Sequence, residues 1–270
     1  MNARPGFPER IVCLTEETTE TLYLLEEDWR IVGISGFTVR PARARKEKPR
    51  VSAFTSAKID RIVDLRPDLV LGFSDLQADI AAELVRAGIE VHVFNHRSVA
   101  EILRTLRVLG GMIGCEAKAG ALVARLEAGL DEVRSRAASL PRRPKVYFEE
   151  WDEPQISGIR WVSELIGIAG GDDCFPELAR ESLGKNRIIA DSLEVTRRAP
   201  DIILGSWCGK KFRPEHVAAR AGWQDVPAVR GAFLREIKSS LILQPGPAAL
   251  TEGVQEIQKV ILEWARTAPS

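Results

Sequence analysis

Apolar positions along this chain follow two rhythms. Short, nearly unbroken apolar runs occur at Arg10–Leu14 (RIVCL), Arg30–Ser35 (RIVGIS), Asp68–Phe73 (DLVLGF) and Ile89–Phe94 (IEVHVF). Runs of this kind, rich in β-branched residues, predict strands buried on both faces of a parallel sheet. Between them the spacing lengthens to three and four, predicting helices over Thr18–Leu25, Ile59–Leu65 and Leu76–Ala87, the last closed by Gly88. Ser98 and Glu101 form a capping box for a helix through Leu109. Gly36–Ala57 keeps no period and reads as a long loop, a length often kept for function.

The longest helical stripe follows. Over Glu116–Leu140, Ala119, Leu122, Val123, Leu126, Leu130 and Val133 recur every three or four residues, and Pro141 and Pro144 stop the helix. Arg125, Asp131 and Arg134 fall on the opposite, water-facing side. The pattern then restarts. Strands are predicted at Lys145–Glu149, Asp201–Gly205 and Phe233–Ile237, and helices at Trp161–Ala169, Asp191–Arg198 and Pro247–Arg266. The closing helix carries Leu250, Val254, Ile257, Ile261 and Trp264 on one face. An internal echo ties the halves together. IVDLRPDLVLGF (Ile62–Phe73) and VTRRAPDIILGSW (Val195–Trp207) share a short helix, Pro-Asp, an apolar strand, a glycine and an aromatic residue. Alternating strands and helices imply an α/β fold with mostly parallel sheets. The expected organisation is an N-terminal lobe over 9–115, a backbone helix over 116–140 and a C-terminal lobe over 144–266.

Charge narrows the partners. Lys+Arg and Asp+Glu each number 38, so no global field points to nucleic acid or an anionic membrane. The basic run Arg40–Arg50 reads as a solvated loop. The four cysteines are scattered without a CxxC, which argues against a zinc or iron–sulfur site. His92 and His96 sit on a strand and the turn after it, a poor metal pair. The opening MNARPGFPERIV has no apolar segment with a cleavage site. The expectation is a cytoplasmic protein if the chain is complete, and a periplasmic one if an export signal has been removed. With neutral charge, a monomer is the default.

Ligands of open α/β sheets sit beyond the carboxyl ends of strands. Those ends carry Thr15–Glu16–Glu17, Phe37, Phe73–Ser74–Asp75, Glu150–Trp151 and Trp207–Cys208. Aromatics dominate, which suits a large flat ligand with an amide fringe. Trp161 reads as either a pocket or a core residue. In the loop GSWCGKKFR (Gly205–Arg213), Lys210 or Lys211 can meet amide or phosphate oxygens, and Cys208 reads as a metal ligand, a reactive thiol or a bystander. No nucleophile elbow, Walker loop or dinucleotide fingerprint is present, so no catalytic residue is assigned and no enzyme is expected.

Taken in order, RIVCLTEETTETLYLL, VGISGFTVRP, IDRIVDLRPDLVLGF, AGIEVHVF, SVAEILRTLRVLG, SGIRWVSELIGIAGG, APDIILG and LQPGPAALTEGVQEI resemble one family. It is the periplasmic-binding-protein type that holds cobalamin and iron–siderophores, with the likeness strongest to the vitamin B12-binding proteins of ABC transporters. The resemblance runs from about Arg10 to Trp264. It implies two Rossmann-like lobes joined by a single long backbone helix (class III periplasmic-binding-protein-like), with small rocking motions only. It also implies a corrinoid, cobalamin foremost, clasped between the lobes as a bound ligand, with no catalytic cofactor. A ferric siderophore or haem is the first alternative, and a cytoplasmic corrinoid-handling enzyme or chaperone the second. Phe37, Phe54 and Phe73 stand where the family has pocket aromatics; Arg40 and Arg187 stand where further aromatics are expected. The acidic residues that dock such proteins on an ABC permease correspond to positions near Ala78 or Asp79 and near Leu193 or Glu194.

Overall fold

The apolar runs become strands, and the strands sort into two sheets. The structure is a computed structural model that describes residues 6–267, in two α/β units. The first unit comprises the described residues up to His96 together with Ala100–Arg125. In chain order it holds β1 (Ile11–Cys13), α1 (Glu16–Leu24), β2 (Ile31–Ser35), α2 (Ala44–Glu47), β3 (Arg50–Ser52), α3 (Ile59–Asp64), β4 (Leu69–Phe73), α4 (Ala78–Arg86) and β5 (Val91–Phe94). The five strands are all parallel, in the order β3-β2-β1-β4-β5. Every residue of β1 and β4 is buried, as apolar runs in the middle of a parallel sheet require.

Helices α5 (Val99–Met112) and α6 (Glu116–Ala137) follow. The predicted stripe of α6 is buried throughout, and Arg125, Asp131 and Arg134 are exposed. The boundary of the two units falls within this helix, between Arg125 and Leu126. Its first half is fixed in unit one, where Lys118 Nζ reaches Glu27 Oε1 at 2.9 Å and the Leu25 carbonyl at 3.0 Å. Its second half is fixed in unit two, where Gln258 Nε2 donates to the Val133 carbonyl at 2.7 Å.

The second unit comprises Arg97–Val99 and the chain from Leu126 on. It holds β6 (Lys145–Asp152), β7 (Gln155–Ser157), α7 (Arg160–Ala169), β8 (Asp172–Asp173), α8 (Leu193–Arg198), β9 (Ile202–Gly205), α9 (Pro214–Ala218), α10 (Pro227–Arg230), β10 (Leu234–Glu236) and α11 (Ser239–Ile242). A π-helical turn (Ala249–Gly253) then leads into α12 (Val254–Thr267). The sheet order is β10-β9-β6-β7, with β8 also on β6; β7 alone runs antiparallel. Five of the six tryptophans lie in this unit; only Trp29 belongs to the first.

Four departures from the sequence reading have physical causes. The 36–57 loop contains α2 and β3, elements of four and three residues, too short to show a period. Helix α5 runs through Gly110 and Gly111 to Met112, past its expected end at Leu109. A Cβ on Gly110 would lie 2.3 Å from Ala119 Cβ, so close packing against α6 outweighs the roughly 1 kcal/mol that a helical glycine costs. Helix α6 stops at Ala137, three residues before Leu140, and a turn closes it. Strand β6 continues past Glu149 to Asp152 because β7 folds back on it as a hairpin.

Candidate functional site

In the first unit the carboxyl ends of β1 and β2 gather an acidic group. Thr15 precedes α1, and its hydroxyl donates to Glu17 Oε1 at 2.5 Å. Glu16, Glu17 and Glu20 are all buried. Burial pushes the Glu16 carboxyl up to about 7, against the Val39 N–H that it accepts at 3.2 Å. Burial likewise pushes Glu17 up to about 7, opposed by the Thr15 hydroxyl. Arg40 Nε donates to Glu20 Oε1 at 2.9 Å. Two of the three carboxylates therefore hold the segment after β2, which carries Phe37, the most open aromatic of the site at 56% exposure.

A side chain that the sequence did not single out ties the rest of this edge together. Gln77 is fully buried. Its Oε1 accepts from Phe73 N at 2.9 Å, and its Nε2 donates to the carbonyls of Phe54 at 2.8 Å and Leu14 at 3.4 Å. It thus joins the ends of β1 and β4 to the stretch after β3. Phe73 is buried edge-on to His96, 5.0 Å between centroids, and Phe54 is half-buried. Ser74 takes φ +65°, a left-handed backbone that costs a non-glycine residue energy and is frequent at functional turns.

In the second unit the corresponding centre is a carboxylate. Glu149 is fully buried. It accepts from Arg220 Nη1 at 2.5 Å and Nη2 at 2.9 Å, from the Tyr147 hydroxyl at 2.9 Å and from Trp207 Nε1 at 3.1 Å. Burial and then the Glu149 charge hold the Tyr147 hydroxyl well above its ordinary range. Burial works to lower Arg220, but its bonds to Glu149 outweigh that and raise it. Trp207 is buried, 5.0 Å from Phe212 in an edge arrangement. Gly205 makes this possible: a Cβ there would strike the Phe212 ring at 1.9 Å. Beyond the end of β9, the β6–β7 hairpin presents Trp151, half-buried, with Nε1 on the Glu153 carbonyl at 2.9 Å. Lys210 lies over it, its Nζ 4.3 Å from the Trp151 ring and 5.1 Å from the Trp207 ring.

The expected residues therefore divide. Thr15, Glu16, Phe37, Arg40, Phe54, Phe73 and Ser74 gather along the carboxyl edge of the first sheet. Trp151, Trp207, Cys208 and Lys210 do so in the second, with Cys208 exposed. Of these, Thr15, Glu16, Phe73, Ser74 and Trp207 are themselves buried, and two further expected residues, Arg187 and Trp161, turn inward. Arg187 is 2% exposed, with a forked pair on Glu150 at 2.6 and 3.0 Å and a further bond to the Ser157 carbonyl. It braces the β6–β7 hairpin, because both Nη atoms are spent on protein acceptors, while its buried Nε has no partner. Trp161 resolves as core: it is buried, and its indole N–H donates to the Ile242 carbonyl at 2.8 Å. Three hydroxyls without a partner, Thr38, Ser52 and Ser206, also sit at the ends of β2, β3 and β9. Among the described residues no group of three or more His, Cys, Asp or Glu could hold a metal ion.

The sequence profile of the periplasmic binding proteins matches residues 11–241. The chain belongs to this family. Relatives span most of it. A Bacillus subtilis ABC transporter substrate-binding lipoprotein, YvrC, itself uncharacterised, is 24% identical over 94% of the chain and 80% of its own length. A vitamin B12-binding protein of Vibrio vulnificus is 21% identical over 90% of the chain and 86% of its own. Among solved structures, the periplasmic vitamin B12-binding protein of Vibrio cholerae superposes with a TM-score of 0.76 at 20% identity, covering 97% of this chain and 99% of that one. A periplasmic haem-binding protein of Roseiflexus does so at 0.82 and 20%, covering 95% and 99%. At such identities the periplasmic binding protein fold is what is shared. The cytoplasmic reading finds no support in these relatives, one of which is named a lipoprotein. No helix among the described residues is long and apolar enough to cross a membrane.

Proposed function

We propose that this periplasmic binding protein is the substrate-binding component of an ABC transporter and holds a corrinoid, cobalamin foremost, without performing chemistry on it. The observation that carries this reading is the aromatic and polar fringe at the carboxyl edges of both sheets. Phe37, Phe54 and Trp151 offer ring faces, and Arg40 and Lys210 offer donors to rim amides or a phosphate. The relatives named for vitamin B12 agree with it. The Vibrio cholerae protein is named periplasmic and the Bacillus subtilis relative a lipoprotein, and we propose such a placement for this protein. For the permease we propose two contact points: the start of α4, where Leu76 and Asp79 are exposed, and the start of α8, where Leu193 is exposed beside Glu194.

A haem or ferric-siderophore ligand is the second reading. It is favoured by the cations Lys210, Lys211 and Arg213 after β9, which suit an acidic ligand. Titration with cyanocobalamin, haemin and a siderophore panel, followed by tryptophan fluorescence and the ligand bands, tests both. Corrinoid binding at micromolar concentration is expected, and its absence beside tight haemin binding would transfer the assignment. Trp151→Ala should weaken binding about tenfold, as loss of a stacking anchor does, with the fold intact. Trp207→Ala is the poorer probe, because that ring is part of the core.

A further inference from the structure

The ammonium of Lys210 is the most unusual contact at the carboxyl edge of the second sheet. Strand β6 pairs with β9 only as far as Glu149 opposite Gly205, and Glu150–Asp152 project beyond it. On that projection Trp151 and Asp152 both meet Lys210. Its Nζ lies 2.5 Å from Asp152 Oδ1 while covering the Trp151 ring at 4.3 Å. The Lys210 side chain is 42% exposed and that of Asp152 20%, so the pair lies at the water's edge, where an ion pair and a cation on a ring face are each weak. A cation held in this way leaves easily when a better acceptor arrives. Lys211 and Arg213, both exposed, add cations to the same loop, while Arg213 leans toward Glu215 at 3.6 Å.

We propose that Lys210 reads the charge on the rim of the ligand, so that the protein selects a flat macrocycle carrying a carboxylate or phosphate at its edge over its neutral counterpart. This rests on the macrocycle-binding reading above. A ring that stacks on Trp151 must compete with the ammonium already lying on that face. A neutral rim gives nothing in return for moving it. An anionic rim takes over the ammonium with a charge-assisted hydrogen bond and leaves the ring free to stack. Lys210 is thus both a barrier to one ligand class and an anchor for the other, a pairing of attraction and exclusion typical of specificity.

The test uses pairs matched in ring and differing in rim charge. These are dicyanocobyric acid, which has one rim carboxylate, against dicyanocobinamide, in which that group is an amide, and haemin against its dimethyl ester. Cyanocobalamin serves as the phosphate-bearing arm. For the wild-type protein the acidic member of whichever pair binds should be tighter by about fivefold or more, with the gap closing as salt is raised. Lys210→Met keeps the aliphatic stem and should move the two members in opposite directions: the neutral one tightens, the acidic one weakens. Asp152→Asn should tighten the acidic member alone. Binding with no gap, or a gap that Lys210→Met and Asp152→Asn leave unchanged, overturns this inference and leaves the macrocycle reading standing. Failure of every ligand to bind the wild-type protein removes that reading and this inference together.

Discussion

The two units repeat each other at one edge of their sheets and diverge at the other. At the amino edge both use the same device. Asp68 N donates to the Arg10 carbonyl at 3.0 Å while Arg10 N donates to Asp68 Oδ1 at 2.9 Å. Asp201 N donates to the Lys145 carbonyl at 2.8 Å while Lys145 N donates to Asp201 Oδ2 at 2.9 Å. Each aspartate follows a proline, and the residue before each proline is left-handed, Arg66 at φ +47° and Ala199 at φ +49°. At the carboxyl edge the centres differ in kind: a neutral amide, Gln77, ties three stretches of chain in unit one, whereas the charge pair Glu149–Arg220 ties a wall of aromatics in unit two. Backbone scaffolding has been kept where no ligand is expected, and side-chain chemistry has changed where one is.

The sharpest way to break this comparison is to remove one partner at each centre. Arg220→Met strands a fully buried carboxylate and should cost about 3–5 kcal/mol of stability. Gln77→Leu leaves one backbone N–H and two carbonyls short and should cost about 1–3 kcal/mol. Urea unfolding of both variants gives the numbers, and equal losses would mean that the charge in unit two is no costlier to isolate than the amide in unit one.

The next effect is a difference in pH response. Glu16 and Glu17 titrate near 7 in the folded chain against an ordinary value of 4.5, so the folded state holds protons that the unfolded chain has released. Their contribution is full below the unfolded value and is lost as pH rises through the folded one. Stability should therefore rise on going from pH 7.5 to 5.5, on the order of 2 kcal/mol for each of the two groups. The double variant Glu16→Gln, Glu17→Gln should flatten that rise. A profile that keeps its slope in the double variant would place the titration elsewhere.

The smallest effect tests the shared edge. Arg66→Gly and Ala199→Gly each relieve a left-handed backbone at the same place in the repeat. Each should stabilise by about 0.5–1 kcal/mol, and by similar amounts. Calorimetric melting of the two variants checks this; shifts of opposite sign would show that the two turns are not equivalent.

The sequence carried the scaffold further than it carried the site. The strands were legible because buried parallel strands write themselves as apolar runs, and the stripe of α6 because its period is unbroken. The Pro-Asp echo was visible, but its role was not: that the aspartates clip the neighbouring strand depends on contacts 56 and 58 residues away. The same distance hid Arg220, which reaches Glu149 across 71 residues of chain. Gln77 had a local signal, a polar residue just before the helix that follows β4, yet nothing in the sequence distinguishes it from an exposed neighbour. Arg187 was misread for a related reason. An arginine near a ligand face and one folded inward on Glu150 look alike until the acceptor is known.

The uneven share of tryptophans has a practical consequence for optical experiments. With Trp151, Trp161, Trp207, Trp223 and Trp264 in unit two, intrinsic fluorescence is nearly a one-sided reporter. Trp29 is the sole indole of unit one, and the Arg30 guanidinium lies 4.4 Å from its ring. A quench on adding ligand therefore describes events around the β6–β7 hairpin and says little about Phe37 or the acidic group behind it. A Phe37→Trp variant, placing an indole on the most open ring of the other edge, would give the first unit a signal of its own.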